Sequence, residues 1–353
     1  MRILALDLGA GWRGGQKQTA LVAATLAKRG HEVALLAAAE STLALEASRG
    51  GVVGVVPVHG RGEASPRLLA AVARAARRLR PDILWASDGR GHGAAVWSLA
   101  AARIPLVVHR RVAFPPGRDP LSRLKFRTAR RFVAISTDVS RVLSDAGVPK
   151  ERIAVVPDGL PDEAFVHAPA PVAPPFRLLH AGAFDGLKGQ DVAVAALARL
   201  VAFGLDATLT FLGDGPRRPE TERLAAASGV LPRCTFAGDV RDVPARLAAA
   251  HLLLLPSRSE GASLVLVEAM AAGCAVVAHD LPAPREVCGA GESGRLVPTL
   301  DPGAWADAVS SLLRDERERL CLVAKGRATA AGRTLAASVG RLEAVFETVL
   351  GAA

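Results

Sequence analysis

Short runs of branched apolar residues alternate along this chain with longer segments in which apolar residues recur at helical spacing. This alternation is typical of parallel β-sheets covered by helices, in which the strands are buried on both faces. Seven strands are predicted in the first half: Ile3–Leu6, Glu32–Leu36, Val52–Val58, Ile83–Ala86, Pro105–Val108, Phe132–Ile135 and Ile153–Val156. The first half is therefore predicted to be one α/β domain, over residues 1–167.

A proline-rich segment, APAPVAPP, interrupts the alternation and predicts a semi-rigid linker over residues 168–176. The alternation then restarts, which predicts a second domain of the same class over residues 177–330. Its predicted strands are Leu178–Ala181, Thr208–Leu212, Thr235–Ala237, Leu252–Leu255, Ala275–Ala278 and Arg295–Val297. Residues 331–353 are predicted to form a C-terminal helix that can pack back on the first domain. We expect two facing Rossmann-like domains, with chemistry at the carboxyl ends of their strands.

Length and composition agree with this division. A chain of 353 residues exceeds what one hydrophobic core usually organises, and half of its residues are hydrophobic. The spacing of the four cysteines matches neither a zinc site nor a disulfide framework, which favours a reducing, cytoplasmic compartment. They are Cys234, Cys274, Cys288 and Cys321.

The opening MRILALDLGAGW carries Asp7 where a signal peptide needs an apolar stretch, so these residues predict a buried first strand. No uncharged apolar run approaches the roughly 20 residues that span a bilayer. Any membrane contact is therefore expected to be peripheral, on the inner face of the membrane.

A formal net charge of +10 favours anionic partners. Two basic segments of the first half, Leu68–Arg80 and Arg123–Arg131, are candidates for contact with an anionic membrane surface. Taken singly, each is more typical of the solvated face of a helix. Nucleic acid is not expected as a partner. The basic residues are dispersed, no known binding module is present, and aromatic residues make up only 4% of the chain.

The most informative stretch is Pro256–Gly273, PSRSEGASLVLVEAMAAG, which follows the apolar run LLLL. It predicts a loop with Gly261 in a turn, Ser263 as the helix cap, and a helix that ends at Gly273. The amides of Ala262, Ser263 and Leu264 would then form an anion cradle at the positive end of the helix.

Two glutamates bracket this helix start. Glu260 lies in the loop, and Glu268 lies within an otherwise apolar helix, where a carboxylate is costly unless a donor such as a ribose hydroxyl bonds to it. On local grounds alone, Glu260 can equally be a solvated loop acid and Glu268 an ion-pair partner of an arginine.

This stretch resembles the E-x7-E motif of the family 4 glycosyltransferases, and in particular its P-S-x-x-E-G and E-A-M-A-x-G portions. The resemblance implies a retaining transfer from a nucleotide diphosphate sugar, with Glu260 on the hydroxyls of the donor sugar and Glu268 on the ribose. It also implies loop amides that face the phosphates. Ala262 and Ser263 are small variants of the residues usual in the family.

The segment His180–Gln190, HAGAFDGLKGQ, resembles the family motif G-R-x4-K-G. Lys188 matches its lysine, and a fixed positive charge there can neutralise a leaving diphosphate without a metal, so no cofactor is expected. The arginine of the motif is replaced by Ala183. Arg13 and Arg217 are candidates for its role.

Four further positions are assigned to donor binding by resemblance. Gly213, in GDGP, matches a strand-end turn of the family, and Val240, in FAGDV, matches the loop beside the nucleotide base. Gly14 and Gly15, in GWRGGQKQ, resemble the first-domain glycine loop that approaches the donor phosphates or the acceptor. Each can also be a simple turn.

His109 ends the predicted strand PLVVH and matches a family histidine near the donor sugar, which makes it a catalytic candidate beside Glu260 and Lys188. The following RRVAFP, and the SDGRGH run with Asp88 and His92, resemble bacterial enzymes of lipopolysaccharide or other cell-surface glycan synthesis.

The sequence thus predicts a retaining hexosyltransferase that moves a sugar from a nucleotide diphosphate to a hydroxyl of a glycan or glycolipid acceptor. In the front-face course that the family suggests, the departing phosphate accepts the acceptor proton. A nucleotide-sugar epimerase of the same fold and a basic nucleic-acid-binding protein are the alternatives.

Overall fold

A computed structural model of the chain describes residues 1–49, 54–60, 62–117, 119–166, 168 and 173–351. It divides into two compact units, one of Met1–Gly159 with Leu335–Ala353 and the other of Leu160–Thr334. The division lies before the predicted boundary at 167. Residue 176, assigned to the linker from sequence, instead begins a strand of the second unit, and most of the predicted linker lies outside the described residues.

The first unit contains a parallel sheet of seven strands in the order β3-β2-β1-β4-β5-β6-β7. The strands are β1 (Arg2–Asp7), β2 (Glu32–Ala38), β3 (Val55–Val58), β4 (Ile83–Ala86), β5 (Leu106–Arg110), β6 (Arg131–Ala134) and β7 (Ile153–Val155). All seven predicted strands are found. The third begins at Val55 rather than at residue 52, which lies with residue 53 outside the described residues.

Six helices follow these strands in alternation: α1 (Gly14–Lys28), α2 (Thr42–Arg49), α3 (Pro66–Leu79), α4 (Gly89–Trp97), α5 (Pro120–Thr128) and α6 (Thr137–Asp145). Local sequence sets the starts of α4, α5 and α6, where a carboxylate or hydroxyl accepts a backbone N–H and so satisfies a free donor of the first turn. Asp88 caps α4 by accepting from the amide of Gly91, and Ser136 caps α6 by accepting from that of Val139.

The second unit contains a six-stranded parallel sheet in the order β10-β9-β8-β11-β12-β13. Its strands are β8 (Phe176–Ala181), β9 (Ala207–Leu212), β10 (Cys234–Phe236), β11 (Leu252–Leu255), β12 (Ala275–His279) and β13 (Arg295–Val297). Its helices are α7 (Gln190–Ala202), α8 (Arg218–Ala227), α9 (Val243–Ala248), α10 (Leu264–Ala272), α11 (Pro282–Val287), α12 (Pro302–Arg314) and α13 (Glu316–Ala331).

Strand β11 shows why the strands of this sheet appear in the sequence as continuous apolar runs. Leu252 and Leu254 belong to the core on one face, while Leu253 and Leu255 belong to the core on the other. Successive side chains of a strand point to opposite faces, so a strand covered by helices on both sides has apolar residues at every position.

The last helix, α14 (Leu335–Gly351), belongs to the first unit and packs against α1. The Nε atom of Arg29 donates to the carboxylate of Glu343 at 2.9 Å, and Phe346 packs edge-on against Trp85 with 6.4 Å between ring centroids. The predicted fold class, two parallel-sheet α/β domains with the chain ending on the first, is confirmed. Among the described helices none is long and apolar enough to cross a bilayer.

Candidate functional site

The strand order of the second unit identifies one edge of its sheet as the place for a ligand. β8 and β11 are neighbours, and the chain winds away from them in opposite directions, toward β9 on one side and β12 on the other. The loops that leave their carboxyl ends therefore separate and open a crevice, which is where such sheets bind ligands. These two loops carry Lys188 and Glu260.

The structure brings these two predicted residues into direct contact. Nζ of Lys188 lies 2.7 Å from Oε1 of Glu260, and the side chains are 27% and 6% exposed. The carboxylate of Glu260 is therefore nearly buried. Its negative charge is balanced by Lys188, which is partly exposed to solvent. The sequence assigned different ligand groups to the two residues and did not predict that they pair.

Backbone packing fixes this pair. The two loops touch at Gly189, whose φ of 71° suits glycine, and an added Cβ there would lie 1.9 Å from the carbonyl oxygen of Pro256. The amide of Arg258 donates to the carbonyl of Leu187 at 2.7 Å. Lys188 and Glu260 are thus held by two loops that cannot move apart independently.

His180, near the end of β8, forms a hydrogen bond to the backbone of Lys188. Its Nε2 lies 2.9 Å from the carbonyl oxygen of Lys188 and therefore donates to it. Burial lowers the pKa of His180 to about 4, so the ring is neutral at pH 7. Sequence reasoning missed this residue because its role depends on a contact made across the loop.

Three buried polar atoms around this edge have no partner among the described residues: Nδ1 of His180, Oγ of Ser257 and Oγ of Ser263. Buried polar groups are normally hydrogen-bonded, so a cluster of unpaired ones is a feature of binding sites. The serines lie at both ends of the loop that carries Glu260. They were not distinguishable in the sequence from ordinary loop serines.

The predicted helix cap at Ser263 is wrong in its mechanism. Helix α10 begins immediately after Ser263, but its side chain makes no capping bond, because the residue adopts a left-handed conformation (φ 49°, ψ 45°). An L-residue other than glycine in this region is strained by about 1–3 kcal/mol, and such strain concentrates at ligand-binding turns. The predicted end of the helix at Gly273 (φ 79°) is found.

The amides of Ala262, Ser263 and Leu264 are available for a ligand, since no described residue accepts a hydrogen bond from them. The amide of Leu266 already donates to the carbonyl oxygen of Ser263 at 2.9 Å. Gly261 and Ala262 are half-buried, so this helix tip is reachable.

Glu268 lies on the less buried side of α10, one turn after Leu264. Its neighbours Val267 and Ala269 are both buried. The predicted carboxylate within an otherwise apolar helix is found, and it lies on the half-buried side of α10 that also carries Leu264 and Val265.

Ala183 leaves no cation at the position of the motif's arginine, but arginines lie near the loop. Arg217 packs against Gly186, where an added Cβ would lie 2.3 Å from its guanidinium, and Arg258 forms a two-pronged ion pair with Asp191 (3.0 and 2.7 Å). These residues line a cavity of about 310 Å³ next to the start of α7. Arg13 belongs to the other unit.

Gly213 and Val240 lie at the neighbouring loops. Gly213 (φ 115°) donates its amide to the carbonyl of Gly238 at 2.8 Å, and an added Cβ would lie 2.4 Å from the carbonyl of Gly182. Gly213 therefore has a packing role at the ends of β8 and β9. Val240 is half-buried against the core of this face.

In the first unit, Gly14 and Gly15 are the first residues of α1 rather than a turn. A side chain added at Gly14 would meet open space, and one at Gly15 would make only ordinary contact with Arg111. Neither glycine is required by packing or by its backbone conformation. Their effect is to leave the amino end of α1 uncovered.

His109 lies at the carboxyl end of β5, 2% exposed, with its Nδ1 3.4 Å from a guanidinium nitrogen of Arg111. Arg111 in turn pairs with Asp158 (3.2 Å) and contacts Ser87. Burial, with the charge of Arg111 beside it, lowers the pKa of His109 well below its usual value. The sequence indicated His109 but not the residues that hold it.

Two carboxylates, the buried Asp7 and the half-buried Asp88, lie at the point where the strand order of this sheet reverses. Asp7 is fully buried and accepts from Oγ1 of Thr19 at 2.7 Å. Burial and then the charge of Asp7 raise the pKa of Asp88 to about 6. His92, noted in the sequence, instead packs between Phe126 and the sheet, and its Nε2 lies 3.1 Å from the carbonyl of Lys125.

Two family models match this chain, one over most of the first unit and one over most of the second. "Glycosyltransferase Family 4" matches residues 12–164, and "Glycosyl transferases group 1" matches residues 175–315. A phosphatidyl-myo-inositol mannosyltransferase of Mycolicibacterium smegmatis is 34% identical over 204 residues, which are 56% of this chain and 52% of that protein. The chain spans about half or less of the length of the first curated relatives it matches.

Solved structures of the same fold superpose on nearly the whole chain. Anabaena HepE in complex with UDP-glucose has a TM-score of 0.85 at 20% identity, covering 99% of this chain and 100% of that one. The lipopolysaccharide outer core galactosyltransferase WaaB has a TM-score of 0.74 at 17% identity, covering 99% and 100%. At this level of identity these likenesses show the fold.

Proposed function

We propose that this chain, which belongs to the family 4 glycosyltransferases of GT-B fold, transfers a hexose-type sugar from a nucleotide diphosphate sugar to a hydroxyl of a glycan or glycolipid acceptor. The observation that carries the proposal is the Lys188–Glu260 pair (2.7 Å) at the crevice between β8 and β11. The lysine ammonium suits the diphosphate of a donor molecule, and the adjacent carboxylate can accept hydrogen bonds from the hydroxyls of its sugar.

The tip of α10 supplies the second half of the donor site. The amides of Ala262, Ser263 and Leu264 together with the positive end of the helix favour an anion. The unpaired, buried Oγ of Ser263 adds a donor at the same place. Glu268, on the accessible side of α10, is positioned for the ribose hydroxyls.

Transition-state stabilisation follows from the same groups. Negative charge develops on the diphosphate as the glycosidic bond breaks, and preorganised donors near that charge lower the barrier. Lys188 and the helix end supply this stabilisation without a resident metal or cofactor.

For the proposed retaining transfer, the position of Glu260 favours a front-face course over a double displacement. A double displacement needs a carboxylate on the face opposite the leaving group. Glu260 instead lies beside the proposed diphosphate cradle and is paired with the lysine assigned to that diphosphate. The departing phosphate is then the group that takes the acceptor proton.

Relatives support the acceptor class. Several are named for the glycolipid phosphatidyl-myo-inositol, others for inositol 3-phosphate, and a structural neighbour for lipopolysaccharide outer core. We assign to this chain a hydroxyl of a glycolipid or other cell-surface glycan, made at the cytoplasmic face of the membrane.

Helix α5 offers a surface for that membrane. Its inner side is anchored by Phe126, which stacks on Phe132, while Leu121 and Leu124 are 64% and 52% exposed on its outer side. Arg123 and Arg127 are exposed beside these leucines. Apolar side chains flanked by arginines match the interface of an anionic bilayer.

Helix α3 presents positive charge but, unlike α5, has no large apolar side chain among its exposed residues. It contains no acidic residue, and its exposed arginines form no ion pair with any described residue. They are Arg67, Arg74, Arg77 and Arg78. Each basic residue near an anionic surface adds about 1 kcal/mol of attraction.

Vesicle sedimentation tests the membrane assignment. Vesicles of phosphatidylcholine with phosphatidylglycerol are expected to bind the protein, and binding should weaken at high salt and in the Leu121→Ser/Leu124→Ser variant. The matched control, Leu320→Ser, changes a leucine of similar exposure (44%) in the second unit. Equal loss with Leu320→Ser, or no binding to anionic vesicles, overturns the assignment.

A transfer assay tests the catalytic assignment. The protein is incubated with UDP-glucose, UDP-N-acetylglucosamine or GDP-mannose and a bacterial glycolipid extract, and the anomeric configuration of the new linkage is read by NMR. An α-linked product from an α-linked donor is expected. A free epimerised nucleotide sugar, or binding of random DNA without any binding of nucleotide sugars, would overturn the proposal.

A further inference from the structure

His109 is held by a short chain of buried charged groups. In extended backbone, residues two apart lie on the same face, so Arg111 follows His109 on the side of the sheet that α1 covers. The side chains of Arg111 and Asp158 are 8% and 6% exposed. Nε of Arg111 contacts both carboxylate oxygens of Asp158, at 3.2 and 3.3 Å.

The remaining guanidinium nitrogens are also committed. One donates to the carbonyl and hydroxyl oxygens of Ser87, at the end of β4, and the other lies 3.4 Å from Nδ1 of His109. The guanidinium of Arg111 is therefore held by Asp158 and by Ser87, and its third nitrogen faces the imidazole of His109. A lysine could not reach all three partners, because it has one nitrogen rather than a planar fork.

Hydrogen-bond chemistry then decides the state of the ring. A guanidinium only donates, so Nδ1 of His109 must accept, and in a neutral imidazole the hydrogen is then on Nε2. A protonated ring would place a second positive charge against Arg111 in a buried setting. Asp158 compensates the charge of Arg111 and faces its Nε, away from His109.

The Nε2 of His109 has no partner among the described residues and is itself buried. A buried N–H donor left unpaired is unfavourable, and an acceptor from a ligand removes that cost. The start of α1 lies beside the same network, since a Cβ added at Gly15 would lie 3.6 Å from Cδ of Arg111.

We propose that Asp158 and Arg111 are positioning residues that hold His109 as the neutral Nε2–H tautomer, so that it donates a hydrogen bond to an oxygen of the sugar substrate. The identification of this oxygen as one of a sugar substrate rests on the proposed function. His109 is then a donor to substrate and not a general base.

Histidine NMR on the full-length, ¹⁵N-labelled protein tests the tautomer. Long-range ¹⁵N–¹H correlations distinguish Nε2–H, Nδ1–H and doubly protonated rings, and the His109→Asn variant identifies the signal by its loss. The wild type is expected to show only the Nε2–H tautomer from pH 5.5 to 8. An Nδ1–H tautomer, or a protonated ring at pH 6.5, overturns the proposal.

Arg111→Lys separates positioning from stability. A lysine can keep the ion pair with Asp158 but loses the bonds to Ser87 and His109, so the melting temperature is expected to fall modestly, while His109 loses its fixed tautomer and shows both neutral forms. Transfer is expected to fall about 10-fold in kcat/KM, the size of one lost neutral hydrogen bond. An unchanged single tautomer in this variant would show that Arg111 does not position the ring.

Substitution of His109 itself separates donor from base. The amide nitrogen of glutamine can replace Nε2–H as a donor but cannot take a proton at neutral pH. His109→Gln is therefore expected to retain more transfer than His109→Ala, and a base would leave both equally inactive. If the Nε2–H tautomer is found but no transfer activity exists, the positioning stands and the proposed function fails.

Discussion

Lys188 and Glu260 join the loop after β8 to the loop after β11 through an ion pair of 2.7 Å, in which the carboxylate is 6% and the lysine 27% exposed. Because the carboxylate is much the more buried partner, removal of the lysine and removal of the acid have unequal consequences for folding. Loss of the lysine leaves a desolvated negative charge without compensation.

Lys188→Met is therefore expected to lower the free energy of unfolding by about 1–3 kcal/mol, below the range of a fully buried pair because the lysine is partly in water. Glu260→Gln should cost less, and the double variant should recover part of the loss. Urea denaturation measures all three. As a control, Arg49→Met breaks the exposed Arg49–Glu46 pair and should change the free energy of unfolding by no more than about 0.5 kcal/mol. A loss in Arg49→Met as large as that in Lys188→Met would show that the buried pair has no special role.

Ser263→Gly is expected to raise stability by up to about 1 kcal/mol, since glycine adopts φ 49° without strain and the unpaired hydroxyl is removed. The same variant should raise KM for the nucleotide sugar, because the hydroxyl is assigned to the donor. Ser263→Ala keeps the strained backbone and serves as the control. Thermal melts and initial rates check both effects, and a stable variant with unchanged KM would remove Oγ from the site.

Asp88 predicts a pH dependence of stability. Its pKa of about 6 in the folded protein lies above the ordinary 3.8, so between these values the folded state binds more protons than the unfolded state. Stability from this group is therefore greatest at low pH and declines as pH rises from about 4 to 6.

Asp88→Asn keeps an oxygen that can accept from the amides of Leu8 and Gly91 but cannot ionise. It should stabilise the protein at pH 7 and leave it unchanged at pH 4, measured by urea denaturation at both values. Asp88→Ala, which also loses the cap, should be destabilising at both. A stabilisation of Asp88→Asn that is equal at the two pH values would contradict the raised pKa.

Gly14→Ala and Gly189→Ala form a contrasting pair. A methyl group at Gly14 meets open space, so the fold should be unaffected while donor or acceptor binding weakens. At Gly189 it would lie 1.9 Å from a carbonyl oxygen, in a left-handed backbone, so folding itself should suffer by more than about 1 kcal/mol. Melting temperatures and KM values together distinguish the two; full activity of Gly14→Ala would remove that glycine from the donor or acceptor site.

Much of the fold could be predicted because its strands are buried on both faces. The run LLLL at Leu252–Leu255 and the segments Ile83–Ala86 and Arg295–Val297 were placed at their exact bounds. Other strand ends differ from the predictions in both directions: β5 continues to Arg110 because the ladder outlasts the apolar run, whereas β6 ends at Ala134, before the predicted Ile135.

Prediction of the site had a different limit. Motif spacing indicated Lys188, Glu260 and His109, but contacts between distant segments decide how they act. The hydrogen bond from His180 to Lys188, the Arg111 fork, and the left-handed Ser263 join residues or set angles that no local pattern specifies. The sequence therefore indicated the candidate site residues better than the residues that hold them in place.

Nucleotide binding to the second unit is tested most directly by the melting temperature of the full-length protein with and without UDP. A ligand that binds only the folded state at 100 times its Kd stabilises it by about 2.7 kcal/mol. Wild type and the Arg49→Met control are expected to be stabilised equally, and Lys188→Met much less. An equal rise in Lys188→Met, or no rise with UDP, GDP or any of their sugars in the wild type, would contradict a diphosphate site at Lys188 and the tip of α10.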